Sequence, residues 1–298
     1  MTSGKCDIAV CICTLNRQTL LKRLLEHLQG QQTGDLFSFS IVVADNDVSG
    51  SAKAVVEEFA AGSQIHVKYC IEPKRNIALC RNRALENAVG DYIAFIDDDE
   101  FPSPNWLAVL FDTCKRSTAD GVLGPVRPHF DEQPPKWIVR GGFCQRPEHK
   151  SGTIIPWDRS RTGNVLLRRR VFDGLSQPFN EAFGTGGEDK DFFMRVTEAG
   201  RVFIWCNEAV VYETVPPSRW KRSYMLKRAL LRGKNIIKHP TGRHEVIARS
   251  FAAVPVYLFI LPFVILFGQH RFMKHCIKLC DHLGRLLALA GLNPVSDR

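Results

Sequence analysis

The strongest constraint on the fold is a repeated order of apolar, strand-length runs, each followed by apolar residues at helical spacing. Residues 8–13 form the first run, and residues 40–44, 65–71 and 92–96 form the next three. Helical stripes follow the first three runs, and the third of these helices is expected over residues 77–88. This alternation is typical of βαβ units, in which helices cover both faces of a mainly parallel sheet. We therefore predict an α/β fold with a mainly parallel, Rossmann-like central sheet flanked by helices.

The 298-residue length fits one large domain with an appendage. We place the globular domain at residues 1–232 and a C-terminal helical extension at residues 233–298. Apolar residues make up 45% of the chain and charged residues 24%, which excludes disorder and a fully membrane-embedded protein. Residues 124–157 are rich in proline, glycine and aromatics, so we expect a loop-rich insertion that covers a site. Regular structure is expected to resume at residues 164–167 and 190–196.

Ten cysteines are present, but they are scattered through apolar surroundings, as at Cys11, Cys13 and Cys80. This distribution favours buried, reduced thiols over disulfides. Cys276 and Cys280 are four positions apart, yet no second Cys/His pair lies nearby to complete a tetrahedral zinc site. The N-terminus carries neither the charged start nor the long apolar run of a secretory signal, so we expect the globular part in the cytosol.

The positive charge is concentrated near the C-terminus. Residues 219–249 hold ten Lys/Arg and one acid, which accounts for the whole net charge of +9. Residues 251–268 follow as an apolar run with two prolines, at the lower length limit for crossing a bilayer. Basic residues flank it on both sides, which favours a re-entrant or interfacial hairpin on the cytoplasmic face of the inner (plasma) membrane. The amphipathic residues 277–292 would lie along the surface beside it, and a buried C-terminal helix is the alternative.

The basic segment predicts a membrane surface as partner, because lysine and arginine are attracted to anionic lipid. Nucleic acid is not an expected partner. The chain has no nucleic-acid-binding module, and its aromatic residues form an apolar block instead of being interleaved with the basic ones.

An acidic run follows the fourth predicted strand: Asp97, Asp98, Asp99 and Glu100. Adjacent carboxylates repel one another unless a cation or a set of donors compensates them, and Mg²⁺ or Mn²⁺ prefers such oxygen ligands. The alternative is a solvated acidic turn that caps the next helix. No Gly-x-Gly-x-x-Gly follows the first strand and no Walker-type Gly-Lys-Ser/Thr occurs, which disfavours dinucleotide enzymes and phosphate-loop ATPases.

Six short elements in order carry a resemblance to a known family. They are residues 13–17, Asp45, residues 78–82, residues 97–99, residues 163–164 and residues 188–189. In this order the chain resembles the inverting glycosyltransferases of family 2, which have the GT-A fold, and among them the bacterial exopolysaccharide enzymes of the succinoglycan type. The resemblance covers residues 6–232.

The resemblance implies a binding site for a nucleotide-sugar donor, expected to be a UDP-sugar. Thr14 and Asn16 match the first-strand loop that contacts base or ribose, and Arg17 belongs to the same loop. Asp45 resembles the acid that reads uracil, and Arg81 matches the arginine near the diphosphate. Helix capping and a surface charge remain the alternatives for Asn16 and Arg17, and a solvated helix position remains the alternative for Arg81.

The resemblance also implies a metal site and a sugar-lining edge. Asp97 and Asp99 fit the family's D-x-D motif, with Asp97 facing ribose or metal and Asp99 binding Mg²⁺ or Mn²⁺. Asp98 is assigned to substrate binding. Gly163 and Asn164 look like the strand edge that lines the donor sugar and acceptor.

The catalytic residues implied by the resemblance are Glu188 and Asp189, the acceptor-side E-D pair. Asp189 is the expected general base, because a carboxylate within hydrogen-bond reach can take the proton of an attacking hydroxyl. Glu188 would orient the acceptor or hold Asp189. Asp191 is expected to be a first-turn helix acid. A single displacement of this kind predicts inversion at the anomeric carbon.

Two departures from the family pattern stand near the last core strand. Many relatives have a metal-binding histidine there, where this chain has Tyr212 or Glu213. The Q-x-x-R-W motif of processive enzymes is reduced to Arg219 and Trp220, which favours transfer of a single sugar. Together these features predict a metal-dependent hexosyltransferase that acts on a lipid-linked or saccharide acceptor in cell-surface polysaccharide synthesis. The alternative is a non-catalytic, membrane-attached protein of the same fold that binds nucleotide sugars or glycans.

Overall fold

The computed structural model describes residues 6–237 and 243–292. These residues divide into two compact units, one within Met1–His129 and Arg146–Thr214, and the other within Phe130–Gln145 and Val215–Arg298. The predicted division between residues 232 and 233 stays a prediction, and both positions lie inside one helix, Arg222–Ile236.

The strands and helices follow the order that the apolar pattern predicts, with short strands added. The strands are β1 Cys6–Thr14, β2 Phe37–Asp45, β3 Val67–Ile71, β4 Tyr92–Ile96, β5 Glu100–Pro102, β6 Gly121–Leu123, β7 Val126–His129, β8 Asn164–Arg168, β9 Phe203–Trp205 and β10 Val211–Thr214. The helices are α1 Gln18–Gln29, α2 Lys53–Gly62, α3 Ile77–Glu86, α4 Trp106–Arg116, α5 Lys136–Gly141, α6 Glu188–Glu198, α7 Arg222–Ile236, α8 Arg243–Val264 and α9 Gln269–Leu289.

The main sheet of the first unit has the order β3-β2-β1-β4-β8-β6-β9. Its neighbours pair in parallel except where β8 meets β4 and β6, so the predicted mainly parallel sheet is confirmed. Along β1, Ile8, Val10 and Ile12 enter one apolar core and Ala9 and Cys11 enter the other. Both faces of the strand are therefore buried, which explains why its sequence is a continuous apolar run instead of an alternating one.

The parallel strands β2, β1 and β4 end at the same edge of this sheet. Thr14 is paired with Asp45 at the ends of β1 and β2, and the acidic run begins directly after Ile96 of β4. The antiparallel strand β8 starts at the same edge, because Asn164 is paired with Ile96. Residues that are far apart in sequence thus meet at one edge, as binding sites of α/β sheets require.

A second, smaller sheet has the order β5-β10-β7, and its strand β5 begins with Glu100, the last acid of the run that follows β4. Strand β10 runs antiparallel to β5 and parallel to β7. Between residues 124 and 157 the structure contains only β7 and α5 as regular elements of four residues or more, so the prediction of a loop-rich segment is confirmed.

The second unit contains α5, α7, α8 and α9. Helices α7 and α9 approach closely at Gly233 and Gly284, where a Cβ would lie 2.2 Å from a backbone oxygen of the facing helix. Among the described residues, His244–Phe267 is long and apolar enough to cross a membrane, with a mean hydropathy of 2.4. Only 6% of the most apolar 18-residue stretch of this segment is buried, so the alternative of a buried core helix is wrong.

Candidate active site

The acidic run after β4 is mostly buried, so the alternative of a solvated turn is wrong. Only Asp97 has a substantially exposed side chain, at 40%, whereas Asp98 is 4%, Asp99 7% and Glu100 1% exposed. The next helix begins at Trp106 without a side-chain cap from this run. Buried carboxylates need donors or cations, and the surrounding contacts supply several of them.

Asp98 and Asp99 are held by the loop that follows β1. The Thr14 hydroxyl donates to Asp98 Oδ2 over 2.8 Å, and Arg17 Nη1 lies 2.8 Å from Asp98 Oδ1 and 3.2 Å from Asp99 Oδ2. Burial raises the pKa of Asp98 to about 6, although Arg17 lowers it. The structure therefore brings together three residues assigned to substrate binding and one assigned to metal binding, and those roles stay predictions.

Arg81 connects the acidic run with the predicted catalytic pair. The Asn76 side chain caps α3 by accepting from the backbone N–H groups of Ala78 and Leu79, which fixes the helix that carries Arg81. Arg81 is 7% exposed, forms an ion pair with Glu188 and places Nη2 3.3 Å from Asp97 Oδ1. It is not the solvated helix residue of the alternative interpretation.

Two glycines before α6 place Glu188 and Asp189 at its positive end. Gly186 and Gly187 have φ of 122° and 102°, a backbone conformation that residues with a Cβ rarely adopt. Burial raises the pKa of Glu188 to about 6 against the opposing effect of Arg81. Asp189 is half-buried and accepts from the N–H of Lys190. The expected helix role of Asp191 is confirmed, because it lies in the first turn of α6.

Gly163 lies against the acidic run, whereas the side chain of Asn164 is hydrogen-bonded to other groups. A Cβ at Gly163 would lie 3.0 Å from Asp97 Oδ2 and 2.9 Å from Glu100 Oε1. Asn164 accepts from the Trp106 indole over 2.8 Å and donates to two backbone carbonyl oxygens. These three hydrogen bonds give Asn164 a structural task beside its predicted role in lining the sugar.

Asp45 and Asn16 stand apart from these contacts. Asp45 is fully buried and accepts from the N–H groups of Asp47 and Ala52 and from the Tyr69 hydroxyl. Its uracil-reading role stays a prediction, and because Asp45 is fully buried, the base would reach it only if the surrounding groups moved. Asn16 is exposed, has φ of 54° and precedes a helix whose cap, Arg17, makes no side-chain capping bond.

An arginine lies where the sequence pattern lacks the family's histidine. Glu213 of β10 is paired in register with Glu100 of β5, and Arg146 Nη2 lies 2.6 Å from Glu213 Oε2 while Nη1 lies 3.7 Å from Glu100 Oε1. Tyr212 stacks on Phe101, with ring centroids 5.5 Å apart. Burial, together with the charge of Asp97, raises the pKa of Glu100 well above its ordinary range.

Sequence reasoning gave no role to Glu100 or Arg146. Glu100 belongs to the predicted acidic run but received no role of its own, whereas Arg146 lies in a loop without a motif. Among the described residues, no group of three or more His, Cys, Asp and Glu side chains is arranged to hold a metal ion. All cysteines whose side chains are described are free thiols.

Comparisons with known proteins agree with this architecture. Residues 9–175 match the family described as Glycosyl transferase family 2. The succinoglycan biosynthesis protein ExoM of Rhizobium meliloti (strain 1021) is 35% identical over 240 residues, covering 78% of this chain and 75% of ExoM.

Two solved structures share the fold at low sequence identity. The mannosyltransferase PcManGT from Pyrobaculum calidifontis, in complex with GDP-Man and Mn²⁺, has a TM-score of 0.66 at 15% identity and covers 98% of this chain and 89% of its own. S. aureus TarS 1–349 in complex with UDP has a TM-score of 0.55 at 14% identity, with coverages of 98% and 95%. The predicted GT-A fold is confirmed, and the chain belongs to glycosyltransferase family 2.

Proposed function

We propose that this protein is an inverting glycosyltransferase that moves one sugar from a UDP-sugar to a lipid-linked or saccharide acceptor in cell-surface polysaccharide synthesis. The observation that carries the proposal is the position of Arg81, which pairs with Glu188 of α6 and reaches Asp97 after β4. An arginine between two acidic elements is suited to hold a diphosphate where a donor-side acid and an acceptor-side acid meet. The similarity to ExoM and the UDP bound to TarS support the pathway and the donor class.

On the donor side, the β1 loop would hold the nucleoside. Thr14 and Arg17 contact the acidic run directly, and Asn16 is exposed beside them. Asp45 ends the neighbouring strand in register with Thr14, where it would meet the base. The guanidinium of Arg81 would bind diphosphate oxygens, which match its planar donors.

The residues present fit Mg²⁺ or Mn²⁺ as a partner of the donor. Asp97 offers an exposed carboxylate, and the missing Cβ of Gly163 leaves space beside its Oδ2 atom. Asp99 would supply the second carboxylate after exchanging its contact with Arg17, and water and phosphate oxygens suit the remaining positions of such an ion. When bound, the ion would neutralise charge that develops on the departing diphosphate.

The reaction itself requires one base and one displacement. Asp189 takes the proton from the acceptor hydroxyl, whose oxygen forms a bond to the anomeric carbon as the bond to the diphosphate oxygen breaks. Attack opposite to the leaving group inverts the anomeric centre. Glu188 holds Arg81, so the residue beside the base also positions the group that binds the leaving diphosphate.

Features of the second unit support attachment of the protein to the cytoplasmic face of the inner membrane. Helix α8 is apolar and mostly unburied, and α7 carries several basic residues. Basic residues near an apolar segment strengthen binding to anionic lipid by roughly 1 kcal/mol each. We propose a peripheral or re-entrant attachment that keeps the enzyme near a lipid-linked acceptor.

A non-catalytic sugar-nucleotide or glycan-binding protein of the same fold is the competing proposal. Binding alone needs no base, whereas α6 begins with Glu188 and the half-buried Asp189 beside a diphosphate-binding arginine. The two proposals differ in whether the donor is consumed.

The test measures donor binding and donor consumption on the same protein in membranes. A panel of labelled UDP- and GDP-sugars is supplied with and without Mn²⁺ to wild type, Asp189→Asn and Glu198→Gln, an exposed acid at the other end of α6. We expect Asp189→Asn to bind donor like wild type but to transfer or hydrolyse it about 10²- to 10⁴-fold more slowly, and Glu198→Gln to behave as wild type. Wild-type rates in Asp189→Asn would remove the base assignment. Metal-independent binding without consumption by any form would favour the binding-protein alternative.

A further inference from the structure

A cavity of about 340 Å³ lies in the first unit beside the acidic run. Asn164 and Arg146 line it, and Arg146 is the residue that contacts Glu100 and Glu213. Asn164 directly follows Gly163, whose Cβ position is 3.0 Å from Asp97 Oδ2. The cavity is therefore linked to the acidic run through Arg146, which lines it and contacts Glu100. Its volume is within the roughly 300–1,000 Å³ of sites that bind small molecules.

The charged groups of the lining are mostly cationic. Arg146, Arg159 and Arg161 all line the cavity, and His149 adds a further donor or acceptor. The side chains of Arg159 and Arg161 are exposed, so they are accessible to a ligand from solvent. Asp158 is the one acid among the lining residues of this cavity. Because Arg146 is already paired with Glu100 and Glu213, the exposed Arg159 and Arg161 are the cations that an anionic ligand would meet, and guanidinium groups match carboxylate and phosphate with paired hydrogen bonds.

The remaining lining is apolar. Leu123, Val126, Pro147 and Trp205 form part of the wall, and the Trp205 ring lies edge-on to His149 with centroids 5.1 Å apart. An apolar wall with a few polar groups at fixed positions is typical of sites that orient a small organic ligand. A free inorganic anion would leave this wall without a partner, whereas the C–H faces of a sugar ring would cover it.

We propose that this cavity is an acceptor subsite for an anionic saccharide, whose carboxylate or phosphate is bound by Arg159 and Arg161 and whose ring packs against the apolar wall. This inference rests on the proposed transferase function, because it assigns the acceptor to the cavity that Asn164 and Arg146 line, and Arg146 contacts Glu100 of the acidic run. It specifies the chemical class of the acceptor, which the donor-side residues do not.

The experiment measures binding to the full chain in detergent micelles by ligand-observed NMR titration. The probes are methyl β-glucuronide, methyl glucoside 6-phosphate, neutral methyl β-glucoside and inorganic phosphate. The variants are wild type, the double variant Arg159→Gln/Arg161→Gln and the control Arg116→Gln, an exposed arginine of α4 outside the cavity. Thermal melts establish that each variant is folded.

We expect at least one anionic sugar to bind wild type and Arg116→Gln about tenfold or more tightly than the neutral glucoside, since a hydrogen bond to a charged group is strong enough for that difference. The double variant should lose this preference, and added salt should weaken it in wild type. Whether the carboxylate or the phosphate probe binds more tightly identifies the source of the anion.

Equal binding of neutral and anionic sugars by wild type would overturn the inference, as would a preference that the double variant retains. Inorganic phosphate binding as tightly as the sugar phosphate would overturn the saccharide part. UDP binding and donor hydrolysis are recorded on the same preparations. A preference for the anionic sugar without donor hydrolysis would contradict the proposed transferase and leave the assignment of an anionic saccharide to the cavity standing. Donor hydrolysis without this preference would overturn the cavity assignment and leave the proposed transferase standing.

Discussion

Removal of Arg81 should destabilise the protein strongly, and the size of the effect should depend on pH. The substitution Arg81→Met keeps the alkyl part of the side chain but removes the guanidinium from a pair in which Arg81 is 7% and Glu188 5% exposed. Breaking one side of a buried pair leaves an uncompensated charge and costs about 3–5 kcal/mol. The contact with Asp97 adds little, because that carboxylate is 40% exposed and screened by water.

The dependence on pH follows from Glu188. Burial raises the pKa of Glu188 to about 6, so at pH 5 about nine-tenths of it is protonated and at pH 8 nearly all is charged. A neutral Glu188 does not need the charge of Arg81. We therefore expect the cost of Arg81→Met to fall from about 3–5 kcal/mol at pH 8 to about 1–2 kcal/mol at pH 5, the cost of a lost hydrogen bond.

The assay is urea unfolding of the detergent-solubilised chain, with hydrogen exchange of peptides from α3 and α6 to assign the loss to the first unit. Arg116→Met is the control, because Arg116 of α4 is 73% exposed and is paired with Asp112, whose side chain is 49% exposed. It should cost no more than about 1 kcal/mol. The reasoning is refuted if Arg81→Met resembles this control at pH 8 or has the same cost at both pH values. The double variant Arg81→Met/Glu188→Gln should cost less than the sum of its singles, since it leaves no buried charge.

Three further outcomes follow from the site. Asn164→Leu leaves the Trp106 indole without its acceptor and removes one donor from each of two backbone carbonyls, so it should lower stability by about 2 kcal/mol or more. Asn105→Leu, at an exposed cap without a side-chain capping bond, should change stability little in thermal melts. Gly163→Ala places a methyl group 3.0 Å from a carboxylate oxygen of the acidic run, so donor consumption should fall while far-UV circular dichroism stays unchanged. The pKa of Asp98 is raised by burial to about 6, as is that of Glu188, so each stabilises the fold below about pH 4 and loses that contribution as pH rises through 6. Asp98→Asn should therefore gain up to about 3 kcal/mol relative to wild type between pH 4 and pH 7.5, and a constant difference in urea midpoints would contradict this.

The central sheet could be predicted from the sequence because burial on both faces leaves a visible mark. The run at residues 8–13 and the pentapeptide Tyr92–Ile96 contain apolar residues at every position, since a central parallel strand contacts helices on either side. The short strands β5, β7 and β10 have three or four residues each, too few for a period to be recognised. Their pairing depends on partners distant in sequence, which local pattern does not contain.

The residues assigned to the donor side were predicted as a set, but their contacts were not. The sequence pattern identified Thr14 and Asp98 separately, and the structure joins them across 84 positions with a hydrogen bond. For Asn164, the sequence predicted the residue but not that its hydrogen-bonding groups are already used within the fold. A motif indicates that an amide stands at the strand edge, but only the fold shows that an indole and two carbonyls already occupy it.

Arg146 shows why a departure from a family pattern need not leave a gap. The pairing of β5 with β10 places Glu100 directly opposite Glu213, and two carboxylates in that position repel each other. Arg146, from the loop that precedes β8, places a positive charge close to both carboxylates and reduces this repulsion. The same side chain also lines the cavity of the proposed acceptor subsite. The compensation of the Glu100 and Glu213 charges and the shape of that subsite therefore both depend on Arg146. A change at Arg146 should thus disturb acceptor binding and the acidic run together, whereas changes at Arg159 or Arg161 should affect acceptor binding alone.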